Sequence, residues 1–296
     1  MELNRDNYYS READWEYMSC SQYQGFLECE AAAMAKLEGR YTPPASKAFT
    51  VGNYFHTYFE SEEAHRQFCA ENAEEIYKKR GGGKYAEYEQ ADMMIATAMA
   101  DPVIKNLVDM DGENEKIMTG ELMGKYPWRI RTDKYIPKPA MIIDWKTVAN
   151  IRETAYNIRL GQRASFVRNF DYVMRAAVYI DIEKRYIGKE SDAAFLLVCL
   201  SKQDPVDKEI ITVNHRQSLD IELEEIDERM PRIMAVKNGL KRARRCGQCT
   251  YCRGTKQITD FVPFYDLDPG EGGGREEEYD AYYTGPREQL LSELRT

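Results

Sequence analysis

The chain predicts an α/β fold, a sheet flanked by helices, on three observations. Apolar residues recur at helical spacing through the first hundred positions, then switch to a period of two over residues 116–148. A long helical pattern follows, and further apolar runs of strand length come after it. Helices, a meander, a helix and more strands in that order describe a sheet with helices packed on it.

Residues 10–40 read as one or two opening helices, with Trp15, Met18, Tyr23, Phe26 and Leu27 at roughly helical spacing. Tyr41-Thr-Pro-Pro breaks the pattern. A second helix is predicted from Ser46 to about Phe68, and Arg80-Gly-Gly-Gly-Lys84 is a flexible loop. Tyr85–Met99 is a further helix, followed by Asp101-Pro102 and a short helix through Leu107. Lys116–Met123, Trp128–Ile136 and Ala140–Val148 form three consecutive strands. A long helix is expected over Thr154–Tyr186, kinked near Gly161. Ala193–Ser201 is a buried strand with Glu209–Asn214 as its partner. Ser218–Gly239 is helical, with Ser218 as N-cap and Pro231 as a kink. The tail after Asp266 is of low complexity and reads as mobile, with a short amphipathic helix at Arg287–Leu294. These patterns divide the chain into a helical region (1–110), a core (111–260) and an acidic tail (266–296).

The 296 residues suffice for one large domain or two modest ones, and the net charge is −9. Such a balance argues against a general nucleic-acid-binding surface. Its distribution matters, however. Residues 266–296 hold nine acidic and three basic side chains, leaving the body near −3. Within the body, Arg159, Arg163, Arg168 and Arg175 share one segment, and Lys241, Arg242, Arg244 and Arg245 another, so local contacts to phosphate are compatible with the total. No apolar run has the length of a membrane span, and the first residues carry no signal-peptide core; a soluble cytoplasmic protein is expected, with no membrane partner. Seven cysteines, an odd number without an export signal, argue against a disulfide framework.

The chemistry concentrates between Asp133 and Lys146. Asp144 and Lys146 are two apart on a strand and point the same way, and Asp133 reaches that face from the neighbouring strand. Met141, Ile142 and Ile143 make the run apolar on both faces, so Asp144 is expected to be buried, where a carboxylate needs a partner or a metal. Two carboxylates and an ammonium on one face suit a divalent cation that activates water against a phosphodiester. A surface Asp–Lys pair on an ordinary sheet is the plainer alternative.

Other residues can support that site. Gly52, His56 and Glu60 share a helix face, where the glycine permits close backbone approach and the histidine offers a nitrogen ligand. Arg175 and Tyr179, one turn apart on the helix after the Asp-x-Lys strand, can touch DNA phosphate or orient the lysine. Glu121, on the first strand, can supply a further carboxylate. Cys246, Cys249 and Cys252 place three thiolates within seven residues, the density of a zinc or iron–sulfur site. Cys29 is the first choice of fourth ligand and Cys20 the second; Cys69 and Cys199 read as buried apolar residues.

Taken together, these pieces resemble the PD-(D/E)XK nucleases, specifically the RecB-type branch that includes RecE-like phage and prophage exonucleases. The branch's order of Gly-x-x-x-His, Asp, Asp-x-Lys and a helix ending in Tyr falls here on Gly52 and His56, Asp133, Asp144 and Lys146, and Tyr179. Met18–Cys29 is similar to the branch's N-terminal segment, whose last cysteine joins three near the C-terminus in iron–sulfur members; this favours Cys29. The resemblance spans roughly residues 10 to 256. It implies a restriction-endonuclease-like central mixed sheet flanked by helices, and Mg²⁺- or Mn²⁺-dependent cleavage of DNA ends.

By the same resemblance, His56, Asp133, Asp144 and the backbone carbonyl of Trp145 hold metal, and Lys146 positions or deprotonates water and steadies charge on phosphate. It further implies double-stranded ends as substrate, phage-type recombination beside a single-strand annealing protein, and a homo-oligomer. Two departures stand out. Arg175 occupies a position where the branch usually has Gln. The cysteine spacing is also tighter than the commoner iron–sulfur arrangement, which keeps Zn²⁺ beside [4Fe-4S] as the group bound there. A non-catalytic DNA-end-binding or assembly module with the same fold is the alternative function, and a redox-sensing cysteine protein a third.

Overall fold

A computed structural model describes residues 1–44, 47–188 and 192–258. Met1–Cys246 forms one compact unit, and the described residues from Gly247 onward belong to a second. The acidic tail, its expected helix at Arg287–Leu294 and the start of the second predicted helix at Ser46 lie outside the described residues.

The N-terminal third is helical, and polar caps set its boundaries. The opening stretch forms α1 (Arg11–Glu16), α2 (Cys20–Glu28) and α3 (Glu30–Leu37); Ser10 and Ser19 cap the first two by accepting from Ala13 N and Gln22 N. The expected single helix to Phe68 is divided into α4 (Lys47–Glu60) and α5 (Glu62–Glu71). Ser61 adopts an extended backbone between them and caps α5 through Ala64 N. A single turn, α6 (Ala73–Ile76), leads to α7 (Ala86–Ala100). Asp101 then caps α8 (Pro102–Asp109), accepting from Val103 N and Ile104 N, with the proline at the first helical position where its missing N–H costs nothing.

The alternating segment folds as β1 (Glu113–Leu122), β2 (Tyr126–Pro137) and β3 (Ala140–Val148), an antiparallel meander. The chain then departs from expectation. Instead of one long helix from Thr154, a separate hairpin of β4 (Thr154–Asn157) and β5 (Gln162–Ser165) precedes α9 (Phe166–Asn169) and α10 (Tyr172–Ile187). Gly161, at φ +64°, belongs to the loop that closes this hairpin and is no kink in a helix. The hairpin is held from outside itself: Arg159 donates to Glu222 and Glu225 on the helix α11 (Arg216–Lys237).

Between α10 and α11 come β6 (Ala194–Ser201) and β7 (Lys208–Thr212). β6 pairs parallel with β3, and β7 antiparallel with β6, giving a mixed five-stranded sheet in the order β1-β2-β3-β6-β7 among the described residues. A parallel pair needs a crossover, and α10 supplies it. α11 begins two residues before Ser218 with His215 at its N-cap; Ser218 Oγ lies 2.9 Å from the His215 ring, so the serine sits in the first turn of the helix. The helix runs through Pro231 to Lys237.

Both faces of the sheet are covered. Met118, Trp128, Ile142, Phe195 and Leu197 pack with residues of α2, α3, α10 and α11. Ile136, Ile143, Trp145, Leu196 and Val198 pack with residues of α4, α7 and α8. Neighbouring residues of β3 alternate between the two cores, which is the pleat of a strand buried on both sides. In the second unit, the described residues form the short helix α12 (Thr250–Gly254). No helix among the described residues is long and apolar enough to cross a membrane.

Candidate active site

The site is built where two strands part. β2 and β3 pair from Pro137–Ala140 to Lys134–Ile143, and the next facing residues are Asp133 and Asp144. There the backbone ladder stops. The Asp133 side chain takes over, its Oδ2 accepting from the Trp145 amide at 2.8 Å. β3 meanwhile stays in register with β6, Asp144 beside Leu197 and Lys146 beside Cys199, so the strand end does not fray. Trp145 points the other way and stacks on Phe59 of α4, ring centroids 4.3 Å apart. That packing fixes the strand's rotation and with it the direction of Asp144 and Lys146.

Asp144 is buried, 3% exposed. Lys146 Nζ lies 2.6 Å from its Oδ2, and Arg175 Nη1 lies 4.0 Å from its Oδ1. The lysine contact is close in distance but lacks hydrogen-bond geometry, so Oδ2 is a buried oxygen without a directed donor. Lys146 donates instead to the Trp145 carbonyl at 3.2 Å and lies over the Tyr172 ring at 5.6 Å. Burial works against its ammonium, but the carboxylates of Asp144 and then Asp133 outweigh that and hold its pKa above the ordinary lysine value. Burial likewise works against the Asp133 carboxylate, and the charges of His56 and Lys146 with the bonds from His56 and the Trp145 amide reverse it, keeping Asp133 well below the usual range. His56 reaches Asp133 from α4, Nδ1 to Oδ2 at 3.1 Å.

His56, Asp133, Asp144 and Lys146 are therefore brought together, with the Trp145 carbonyl among them. The available donors are an imidazole nitrogen, two carboxylates and a carbonyl oxygen; the oxygens are the hard donors that suit Mg²⁺ or Mn²⁺, and the undirected Asp144 oxygen is free to ligate such an ion.

Three expectations change. Glu121 is exposed at the hairpin end of β1, facing Pro127, six residues along β2 from Asp133 and hence about 20 Å away. Its carbonyl closes the turn by accepting from Gly124 N. Gly52 makes no close backbone approach: a Cβ there meets nothing within 4 Å, so the α4 face beside His56 is open. Tyr179 is only 6% exposed, and its hydroxyl donates to the Arg131 carbonyl at 3.0 Å, which braces β2 two residues before Asp133. Arg175 stays near the surface of the site, between the Tyr172 and Tyr179 rings.

Glu115 and Arg131 escaped the sequence reading. Glu115 shares its strand face with Glu121, so alternation alone could not separate them. The register decides between them: Leu122 pairs with Tyr126 across a turn with Met123 and Gly124 at positive φ, and this brings Glu115 opposite Asp133. Arg131 Nε lies 2.7 Å from Glu115 Oε2.

The cysteines differ in burial. Cys20 opens α2 and is buried near Arg175 and Asp144, and burial pushes its thiol up to about 11. Cys29 is buried between α2 and α3, and Cys246 is exposed at the end of the first unit. In the second unit Cys249 caps α12, its Sγ accepting from Cys252 N at 3.4 Å, and Cys252 is buried. Cys199 is buried in the sheet, and Cys69 is half-buried with its sulfur 3.7 Å from His65.

A family model described as a PDDEXK-like domain of unknown function, DUF3799, matches residues 19–255. Among solved structures, a "Putative exonuclease" from Eubacterium rectale is 35% identical, covering 91% of this chain and 99% of that one at a TM-score of 0.81. The crystal structure of SSO0001 aligns over 78% of this chain and 92% of that one at 14% identity and a TM-score of 0.29, too slight a likeness to support any conclusion. No curated protein matches the chain.

Proposed function

The chain belongs to the PDDEXK-like family DUF3799, and on that footing we propose that it is a divalent-metal-dependent exonuclease that hydrolyses DNA from its ends. The observation that carries this reading is the convergence of His56, Asp133, Asp144 and Lys146 where β2 and β3 part. The exonuclease description of the Eubacterium rectale protein supports it. Asp133, Asp144, His56 and the Trp145 carbonyl would hold Mg²⁺ or Mn²⁺, which would ease deprotonation of a water to the hydroxide that attacks a phosphodiester.

The other roles follow from the chain's own groups. Lys146, 2.6 Å from Asp144, positions or deprotonates the attacking water and steadies negative charge on the phosphate. Arg175 offers a second cation to a phosphate oxygen. Asp133 fixes the Trp145 amide and so the direction of the carbonyl that follows it. The RecE-like resemblance extends the proposal to double-stranded ends, to recombination beside a single-strand annealing protein in the cytoplasm, and to a homo-oligomer. On spacing and resemblance, Cys29, Cys246, Cys249 and Cys252 are assigned as thiolate ligands of a [4Fe-4S] cluster or Zn²⁺.

The test is a time course on end-labelled linear duplex DNA with Mn²⁺, beside covalently closed circles. The wild type should shorten the linear DNA and spare the circles. Lys146→Ala and Asp144→Asn should each lose about a hundredfold or more in rate while keeping the fold. Full activity in either variant refutes the reading; binding of ends without shortening supports a non-catalytic module instead. Elemental analysis of the same preparation for iron and zinc decides the cysteine assignment.

A further inference from the structure

The ladder of β1 on β2 is unshifted on either side of one position: Asn114 faces Lys134 and Lys116 faces Thr132. Glu115 and Asp133 therefore face one another across the pair. Like charges directly opposite destabilise a sheet, and a buried carboxylate is costly without compensation. The Glu115 side chain is only 10% exposed, and its backbone takes φ +57°, a left-handed conformation uncommon for a residue with a side chain.

What surrounds Glu115 holds it in place. Arg131 reaches it at 2.7 Å and is itself fixed by the Tyr9 hydroxyl at 2.7 Å and by the Tyr8 and Tyr9 rings. The adjoining Asn114 donates to the Glu60 carbonyl at 2.7 Å, which ties this point of β1 to the end of the helix that carries His56. Arg5 holds the Glu60 carboxylate at 3.1 Å. Two strands and a helix thus converge on one spot carrying Asp133, Glu115 and His56.

We propose that Glu115 is a further carboxylate of the divalent-cation site, on the Asp133 side, with Arg131 as its counter-ion while the cation is absent. This rests on the metal dependence proposed above and assigns to it a residue from β1. A cation between β1, β2 and α4 would share with Arg131 and His56 the balancing of this facing pair of carboxylates. Asp133 has one oxygen committed to His56 and the Trp145 amide, so a neighbouring carboxylate adds the negative charge that a hard cation requires.

The experiment is calorimetric titration of Mn²⁺ into the metal-free full chain, comparing wild type with Glu115→Gln, Glu115→Asp and Asp133→Asn, each also melted with and without Mn²⁺. Glu115→Gln should bind Mn²⁺ about tenfold or more weakly, and its Mn²⁺-induced rise in melting temperature should shrink. Its metal-free melting temperature should fall as well, because Arg131 loses its counter-ion, so the Mn²⁺ affinity and the size of the Mn²⁺-induced rise carry the test. Glu115→Asp, which keeps the charge but withdraws it by one methylene, should bind about threefold more weakly, and it carries the test if the glutamine variant fails to fold. Wild-type Mn²⁺ affinity in both Glu115 variants, with affinity lost in Asp133→Asn, overturns the inference and leaves the site intact. A wild-type chain that binds no Mn²⁺ overturns the metal reading and this inference together.

Discussion

Asp133 shows how much one side chain can organise. It replaces a missing ladder bond, accepts from His56 and offsets the charge of Lys146. The sequence marks it as an acid that reaches the Asp144 face and, by resemblance, as a metal ligand, but not as the group that accepts from the Trp145 amide. Tyr179 teaches the opposite lesson. Its place one turn after Arg175 fits a contact to DNA, yet its ring is buried and its hydroxyl is committed to the Arg131 carbonyl. Tyr179→Phe should therefore destabilise the protein by about 1 kcal/mol, the worth of one buried hydrogen bond, and leave DNA affinity unchanged. Denaturant melts beside a binding isotherm at fixed salt check this; weakened binding at unchanged stability would return Tyr179 to the DNA-contacting surface.

At the scale of elements, punctuation proved the decisive variable. Ser61 lies inside a stretch with continuous helical spacing, yet as an N-cap it ends α4 and starts α5. The break lets α4 stop at Glu60, beside β1, with His56 a turn earlier facing Asp133. Ser61→Ala should cost about 1 kcal/mol, the usual loss of a cap, seen as a lower urea midpoint at unchanged slope. Because α5 buries no residue completely, faster amide exchange over residues 62–71 should accompany that loss. The hairpin of β4 and β5 is not legible in the sequence for a related reason. Its residues have no strong period, and its conformation depends on Arg159 reaching Glu222 and Glu225, more than sixty residues away. A window of local sequence contains no trace of that partner.

For the whole molecule, a net charge of −9 must be reconciled with a polyanionic substrate. The reconciliation is local: Lys146 and Arg175 stand at the parted strands, while much of the negative charge belongs to residues 266–296. DNA affinity should accordingly fall with salt by only a few counterions' worth, and Arg175→Ala should lower the slope of log affinity against log salt by about one, measured by fluorescence anisotropy on a labelled duplex. An unchanged slope would remove Arg175 from the phosphate contacts. The sequence by itself determined the layered α/β class, the meander and the face shared by Asp144 and Lys146, because these follow from periods of two and 3.6 along the chain. Only the tertiary structure decided that Glu115 and not Glu121 stands by Asp133, that Tyr179 braces a strand, and that residues 154–165 form a hairpin. Each of those depends on a register or a distant partner, and periodicity, which records only which face a residue occupies, is blind to both.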